Sequence, residues 1–294
     1  MLKGSMVAIA TPMHENGNLD HDSLEKLIEF HIRNKTDVII SVGTTGESAT
    51  LNFDEHSDVI RTTLSIVNKR IPVVAGSGAN STSEAIELTR KSKELGADAC
   101  LLVTPYYNKP TQNGLYYHYK KIADEVNIPQ ILYNVPGRTS VDMLPDTVYK
   151  LSNHPNIIGI KEASGDIKRS RELLDKCSEN LSIFTGDDKT SMRDILLGFS
   201  GNISVTANVA PKAMHDMCLL SSQGKDKEAS LINTKLDLLH DNLFIESNPI
   251  PVKWALHRMG LINKGIRLPL TWMDPKYEQI VEKSLINADI ILKN

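Results

Sequence analysis

A short apolar run rich in Val and Ile, followed by a longer amphipathic segment, recurs eight times over roughly the first 220 residues. The apolar runs are Met6–Ala10, Val38–Val42, Ile71–Ala75, Ala99–Val103, Pro129–Tyr133, Ile157–Ala163, Leu181–Thr185 and Gly201–Val205. Each has the length of a strand buried on both faces, and each segment between them suits a helix. In the first helical segment, Asp20–Asn34, the residues Leu24, Leu27, Ile28 and Ile32 share one face. Ser81 and Glu84 have the spacing of a capping box for the third helix. Pro211 suits the first turn of the eighth. Eight strand-helix units predict an α/β fold, a closed (β/α)8 TIM barrel. The rival is an open doubly wound sheet, which carries a glycine-rich phosphate fingerprint after its first strand; the first strand here lacks one. After about Gly224 no strand pattern remains, and Asp226–Glu246, Ile250–Met259 and Pro275–Leu292 read as helices. The expected division is residues 1–224 as the barrel carrying the active site. Residues 225–294 then form a C-terminal helical domain packed on the barrel or on a neighbouring subunit.

The chain has 294 residues and a formal net charge of -3. It lacks a basic arm, so nucleic acid is not an expected partner. No stretch is long and apolar enough to span a membrane. Met6–Ala10 is too short for the core of a secretion signal and reads as a strand. Cys100, Cys177 and Cys218 are widely spaced with no C-x-x-C, which suits a reducing cytoplasm. No H-E-x-x-H, EF-hand loop or Walker A lysine occurs, and the nine histidines are scattered. Gly76-Ser77-Gly78 lacks the third glycine of a dinucleotide motif and reads as a strand-to-helix turn.

In a parallel barrel, working residues gather where the strands end. The sixth run ends in a lysine, Lys161. Alternation along a strand predicts Ile158 and Ile160 on one face, with Gly159 and Lys161 on the other. Gly159 then leaves room around the amine. A lysine ending a buried strand is costly as an ammonium ion, which favours the neutral, nucleophilic form that makes Schiff bases with ketones. The plainer alternative is that Lys161 leaves the strand and reaches water. Other strand ends carry Thr44, Thr45, Tyr107, Tyr133 and Arg138. A tyrosine can shuttle the protons of a Schiff-base reaction. The hydroxyls and amides of Gly43–Gly46 can cradle a carboxylate, and Arg138 can clamp a second in a bidentate fork. Each residue taken singly also has an ordinary structural explanation; their joint placement favours a site. Glu162 points to the opposite face and is not assigned as a base.

Gly43-Thr44-Thr45-Gly46-Glu47-Ser48, Tyr106-Tyr107, Tyr133-Asn134-Val135-Pro136 with Arg138-Thr139, and Gly159-Ile160-Lys161-Glu162-Ala163 resemble the dihydrodipicolinate synthase family. Asn248-Pro249-Ile250-Pro251-Val252-Lys253 is similar too. The likeness spans essentially the whole chain. It implies that Lys161 forms a Schiff base with pyruvate, whose enamine attacks L-aspartate 4-semialdehyde to give 4-hydroxy-tetrahydrodipicolinate for lysine and diaminopimelate synthesis. By the same resemblance Tyr133 shuttles protons, and Thr44 links it to Tyr107, which reaches in from a neighbouring subunit. Thr45 binds the pyruvate carboxylate, Arg138 that of the semialdehyde, and the backbone at Ile203 lies in the pyruvate site. No metal or organic cofactor is implied. A homotetramer of two tight dimers is implied, with L-lysine as feedback effector at Ser48, Ala49, His56, Asn80, Glu84 and Tyr106. The chain departs from well-inhibited members at Phe53, where they carry a histidine. Two alternatives stand beside this reading. One is another pyruvate-dependent aldolase such as an N-acetylneuraminate lyase, against which Arg138 argues. The other is a catalytically silent binding protein on the same barrel.

Overall fold

The computed structural model describes residues 2–293. In chain order the elements are β1 (Gly4–Ala8), α1 (His21–Arg33), β2 (Val38–Ser41), α2 (Phe53–Val67), β3 (Val73–Gly76), α3 (Thr82–Leu95), β4 (Ala99–Val103), α4 (Gln112–Glu125), β5 (Gln130–Asn134) and α5 (Pro136–Thr139). There follow α6 (Pro145–Leu151), β6 (Ile157–Glu162), α7 (Ile167–Cys177), β7 (Ser182–Thr185), α8 (Ser191–Leu197), β8 (Gly201–Ser204) and α9 (Pro211–Ser222). Three further helices close the chain, α10 (Asp226–Asn242), α11 (Ile250–Arg258) and α12 (Pro275–Asn287). The eight strands are parallel and form a closed barrel in sequence order, with β8 pairing β1.

Alternation along the strands sorts the apolar residues into two layers. Val38, Ile40, Val74, Leu101, Ile131 and Phe184 fill the barrel lumen. Ile39, Val73, Cys100, Leu102, Leu132 and Ile183 face the helices, in a cluster that runs on into α10, α11 and α12 through Leu239, Val252, Leu256, Val281 and Leu285. Helix α11 is buried along most of its length, from Ile250 to Leu256. The C-terminal helices therefore share the barrel's outer core.

Two sequence expectations are corrected here. Ile158 and Ile160 do not share a face: Ile160 joins the outer core, whereas Ile158 packs against the lumen. The cause is a bulge. Gln130 pairs with Ile157, but Ile131 pairs with Gly159, so Ile158 is an extra residue in β6. From Gly159 onward the alternation resumes, and Lys161 faces the lumen side. The capping box expected at Ser81 and Glu84 does not form either. Ser81 makes no side-chain cap bond, and its hydroxyl pairs with Ser83. Glu84 instead lines a cavity described below. A capping box does form at α2, between Asn52 and Glu55.

Candidate active site

A cavity opens at the C-terminal ends of the strands, lined by Thr44, Thr45, Tyr133, Arg138, Lys161, Gly186, Asp187 and Asn248 among others. Its centre is set by strand register. Tyr133 on β5 and Lys161 on β6 are paired residues on neighbouring strands. The Lys161 side chain is 5% exposed, and its Nζ lies 4.3 Å from the centroid of the Tyr133 ring. Of the two readings of Lys161, the buried one holds. Glu162 turns away, as expected: its carboxylate accepts from Asn134 Nδ2 at 3.0 Å and from the Ser164 amide at 2.8 Å. Burial raises its pKa above the usual carboxylate range, against those bonds and Arg169.

The room around the amine is not provided as the sequence suggested. A Cβ on Gly159 would meet the Ser182 carbonyl and the Phe184 ring, not Lys161. The residue that clears space for the lysine is Gly186, just past β7. A Cβ there would lie 2.5 Å from Lys161 Cε and 2.8 Å from Ala163 Cβ. Gly186→Ala is expected to displace the amine and lower kcat/KM about a hundredfold, and to lower the melting temperature through overpacking against Ala163 that costs about 1–3 kcal/mol. Steady-state kinetics beside a thermal melt checks both halves of that expectation.

The turn after β2 carries Thr44 and Thr45 and is strained. Val42 and Glu47 both have φ of 56°, the left-handed region. For a β-branched valine this conformation costs on the order of 1–3 kcal/mol and persists only when its surroundings impose it. Those surroundings are visible. Gly76 packs so closely on the Val42 carbonyl that a Cβ would lie 2.2 Å from its oxygen. Thr11 Oγ1 donates to the Gly46 carbonyl at 2.7 Å. Glu47 forms an ion pair with Lys253 of α11, both side chains being fully buried, and also accepts from the Arg267 amide at 3.2 Å. Burial pulls the Lys253 ammonium below the usual lysine range, with Glu47 acting in the opposite direction. Nearby, Asn248 donates to Thr45 Oγ1 at 3.0 Å, and its carbonyl accepts from Arg138 at 3.2 Å. Sequence reasoning gave Glu47, Gly186, Asn248 and Lys253 no role. For Glu47, Asn248 and Lys253 the signal was membership of the motifs at residues 43–48 and 248–253, which do not say what they touch; Gly186 stood only in the turn that opens the seventh expected helix. Asp187 also lines the cavity, its carboxyl raised by burial against a bond from Thr190 and with help from the charge of Asp188.

Two expected residues stand apart. Tyr107, with φ of 75°, is 90% exposed and does not line the cavity. Ile203 on β8 is buried in the lumen cluster, and Val205 lines the cavity in its place. A second cavity adjoins the first, sharing Thr44, Ser48, Val135 and Arg138. It is also lined by Ala49, Phe53, His56, Glu84 and Tyr106. Asn80 stands at its side, donating to the Tyr106 carbonyl at 3.2 Å. The His56 Nε2 lies 2.8 Å from the Gly76 carbonyl, so that nitrogen carries the proton. Burial lowers the pKa of this imidazole, against the Gly76 bond, and favours its neutral form.

Residues 1–288 match the model of the dihydrodipicolinate synthetase family. The 4-hydroxy-tetrahydrodipicolinate synthase of Stutzerimonas stutzeri is 59% identical over 291 residues, covering 99% of this chain and all of the relative. A crystal structure of the chloride-inhibited dihydrodipicolinate synthase from Acinetobacter baumannii, complexed with pyruvate, superposes with a TM-score of 0.98 at 55% identity, covering 99% of this chain and 100% of that one. A dihydrodipicolinate synthase from Cyanidioschyzon merolae with lysine bound superposes with a TM-score of 0.95 at 37% identity, covering 98% of this chain and 99% of that one.

Proposed function

The chain belongs to the dihydrodipicolinate synthetase family, and on that premise we propose that it condenses pyruvate with L-aspartate 4-semialdehyde through a Schiff base on Lys161. The Lys161 amine attacks the ketone carbon of pyruvate, and water leaves as the imine forms. Loss of a proton from the pyruvate methyl gives the enamine. Its carbon attacks the aldehyde, whose oxygen takes up a proton. The amino group of the semialdehyde part then closes on the imine carbon and releases Lys161 with 4-hydroxy-tetrahydrodipicolinate, a precursor of lysine. Tyr133 moves the protons, and Thr45 binds the pyruvate carboxylate. Arg138 takes the semialdehyde carboxylate, as suits a short acidic aldehyde better than a polyol.

The observation that carries this reading is the register pairing of Lys161 with Tyr133, amine over ring, at the mouth of the barrel. Borohydride reduction in the presence of pyruvate tests it. The expected product is one reduced pyruvate adduct, mapped by mass spectrometry to Lys161; a chain that stays unmodified overturns the mechanism.

Thr44 links Tyr133 to Tyr107 of a neighbouring copy, in a homotetramer built as a dimer of dimers. The high exposure of Tyr107 in the single chain supports that assignment. No helix among the described residues is long and apolar enough to cross a membrane. The three cysteines are buried and unbridged. Both fit work in the cytoplasm.

L-Lysine acts as a feedback effector in the second cavity. Glu84 faces its ammonium group there, and the amide of Asn80 its carboxylate, beside Ser48, Ala49, His56 and Tyr106. Phe53 offers an apolar ring at the position of a missing polar contact. Phe53→His is expected to lower the half-inhibitory lysine concentration about fivefold, the worth of one net hydrogen bond of about 1 kcal/mol. Initial rates across a lysine titration decide this. If millimolar lysine slows neither protein, the effector site is wrong.

A further inference from the structure

Asn248 lies where the C-terminal helices meet the catalytic mouth. It is 5% exposed and lines the cavity. It touches two residues from different parts of the barrel. Its side-chain Nδ2 donates to Thr45 Oγ1 at 3.0 Å, while its backbone carbonyl accepts from Arg138 Nη2 at 3.2 Å. Its Oδ1 is buried and has no hydrogen-bond partner among the described residues. The amide is thus spent on Thr45 alone.

The direction of that bond has a chemical consequence. A hydroxyl that accepts from an amide keeps its own proton for another acceptor. With its acceptor side occupied, the Thr45 hydroxyl is left to donate into the cavity, which is what a carboxylate oxygen needs. The opposite arrangement, an acceptor facing Thr45, would draw that proton away from the site.

We propose that Asn248 is a positioning residue that fixes Thr45 as a hydrogen-bond donor for the keto-acid carboxylate while its backbone holds Arg138 for the aldehyde. The two tasks use different parts of one residue. Substitution of the side chain therefore separates them, because the backbone carbonyl remains. The proposal rests on the condensation described above.

Steady-state kinetics on Asn248→Ala, Thr45→Val and the double variant tests it. Asn248→Ala is expected to raise the pyruvate KM about tenfold, with the semialdehyde KM and the kcat at saturating pyruvate each within about threefold of wild type. In the Thr45→Val background the same change should add almost nothing, since the interaction it removes is already gone. Asn248→Asp keeps the shape but replaces the donor with an acceptor, so it should raise the pyruvate KM at least as far. Its added charge is subtracted by repeating it in the Thr45→Val background. Independent, multiplicative effects of Asn248→Ala and Thr45→Val overturn the proposal, as does a parallel rise of both KM values. Wild-type borohydride trapping keeps the two levels apart. An absent adduct defeats the condensation itself, whereas a normal adduct with an unchanged pyruvate KM in Asn248→Asp defeats only the role of Asn248.

Discussion

Lys161→Ala is expected to lower kcat/KM by at least about a thousandfold and to abolish the borohydride-trapped pyruvate adduct. On the proposed Schiff-base mechanism the alanine removes the atom that bonds to substrate, so no neighbouring group compensates. Stability should not fall in step. The lysine contributes an amine over an aromatic ring at the cavity mouth, and the layers beneath it are filled by Ile40, Leu101, Ile131 and Phe184. The contrast between lost turnover and a retained melting transition is the informative result. Lys161→Arg sharpens it, because a guanidinium keeps positive charge but does not condense with a ketone under these conditions. If Lys161→Arg retains more than a tenth of the wild-type rate, bound charge rather than covalent chemistry drives the reaction, and the Schiff-base mechanism fails.

Lys253→Met should give the largest stability change, a loss of about 3–5 kcal/mol. Removing one partner of a fully buried ion pair leaves the Glu47 charge buried without its counter-ion, held among the described residues only by the Arg267 amide. That penalty corresponds to a fall in melting temperature of roughly 6–20 °C. Pairing the change with Glu47→Leu removes the stranded charge, and most of the loss should be recovered. Activity should not return with it, because the left-handed backbone at Glu47 would have lost the tie that holds it. Thermal melts and kinetics on the single and double variants check both parts. A double variant no more stable than Lys253→Met would show that the charge was not the problem.

These variants also mark how far the sequence was readable. The strand-helix alternation gave the barrel, and β4 lies at the residues its apolar run indicated, Ala99–Val103. The caps of α1 lie at Asp20 and Asn34, where its amphipathic stretch begins and ends. Strand-end logic gathered Thr44, Thr45, Tyr133, Arg138 and Lys161 around one cavity. What stayed hidden depends on partners distant in the chain. The bulge at Ile158 is defined only against Gln130 on the neighbouring strand. The space for Lys161 belongs to Gly186, on the next strand's loop, and no periodicity along β6 reveals that. Asn248 and Lys253 reach back more than 200 residues to Thr45 and Glu47, a separation that local patterns do not encode. Tyr107 is exposed because nothing within its own chain covers it.

The tie between Glu47 and Lys253 carries a consequence for biosynthesis of the protein itself. A nascent polypeptide with all eight strands already outside the ribosome still lacks the residue that pins the threonine-bearing loop. On the proposed mechanism, such an intermediate owns its nucleophile but not a set carboxylate receptor. Competence to turn over substrate therefore arrives late, only after the segment around Lys253 has emerged and docked.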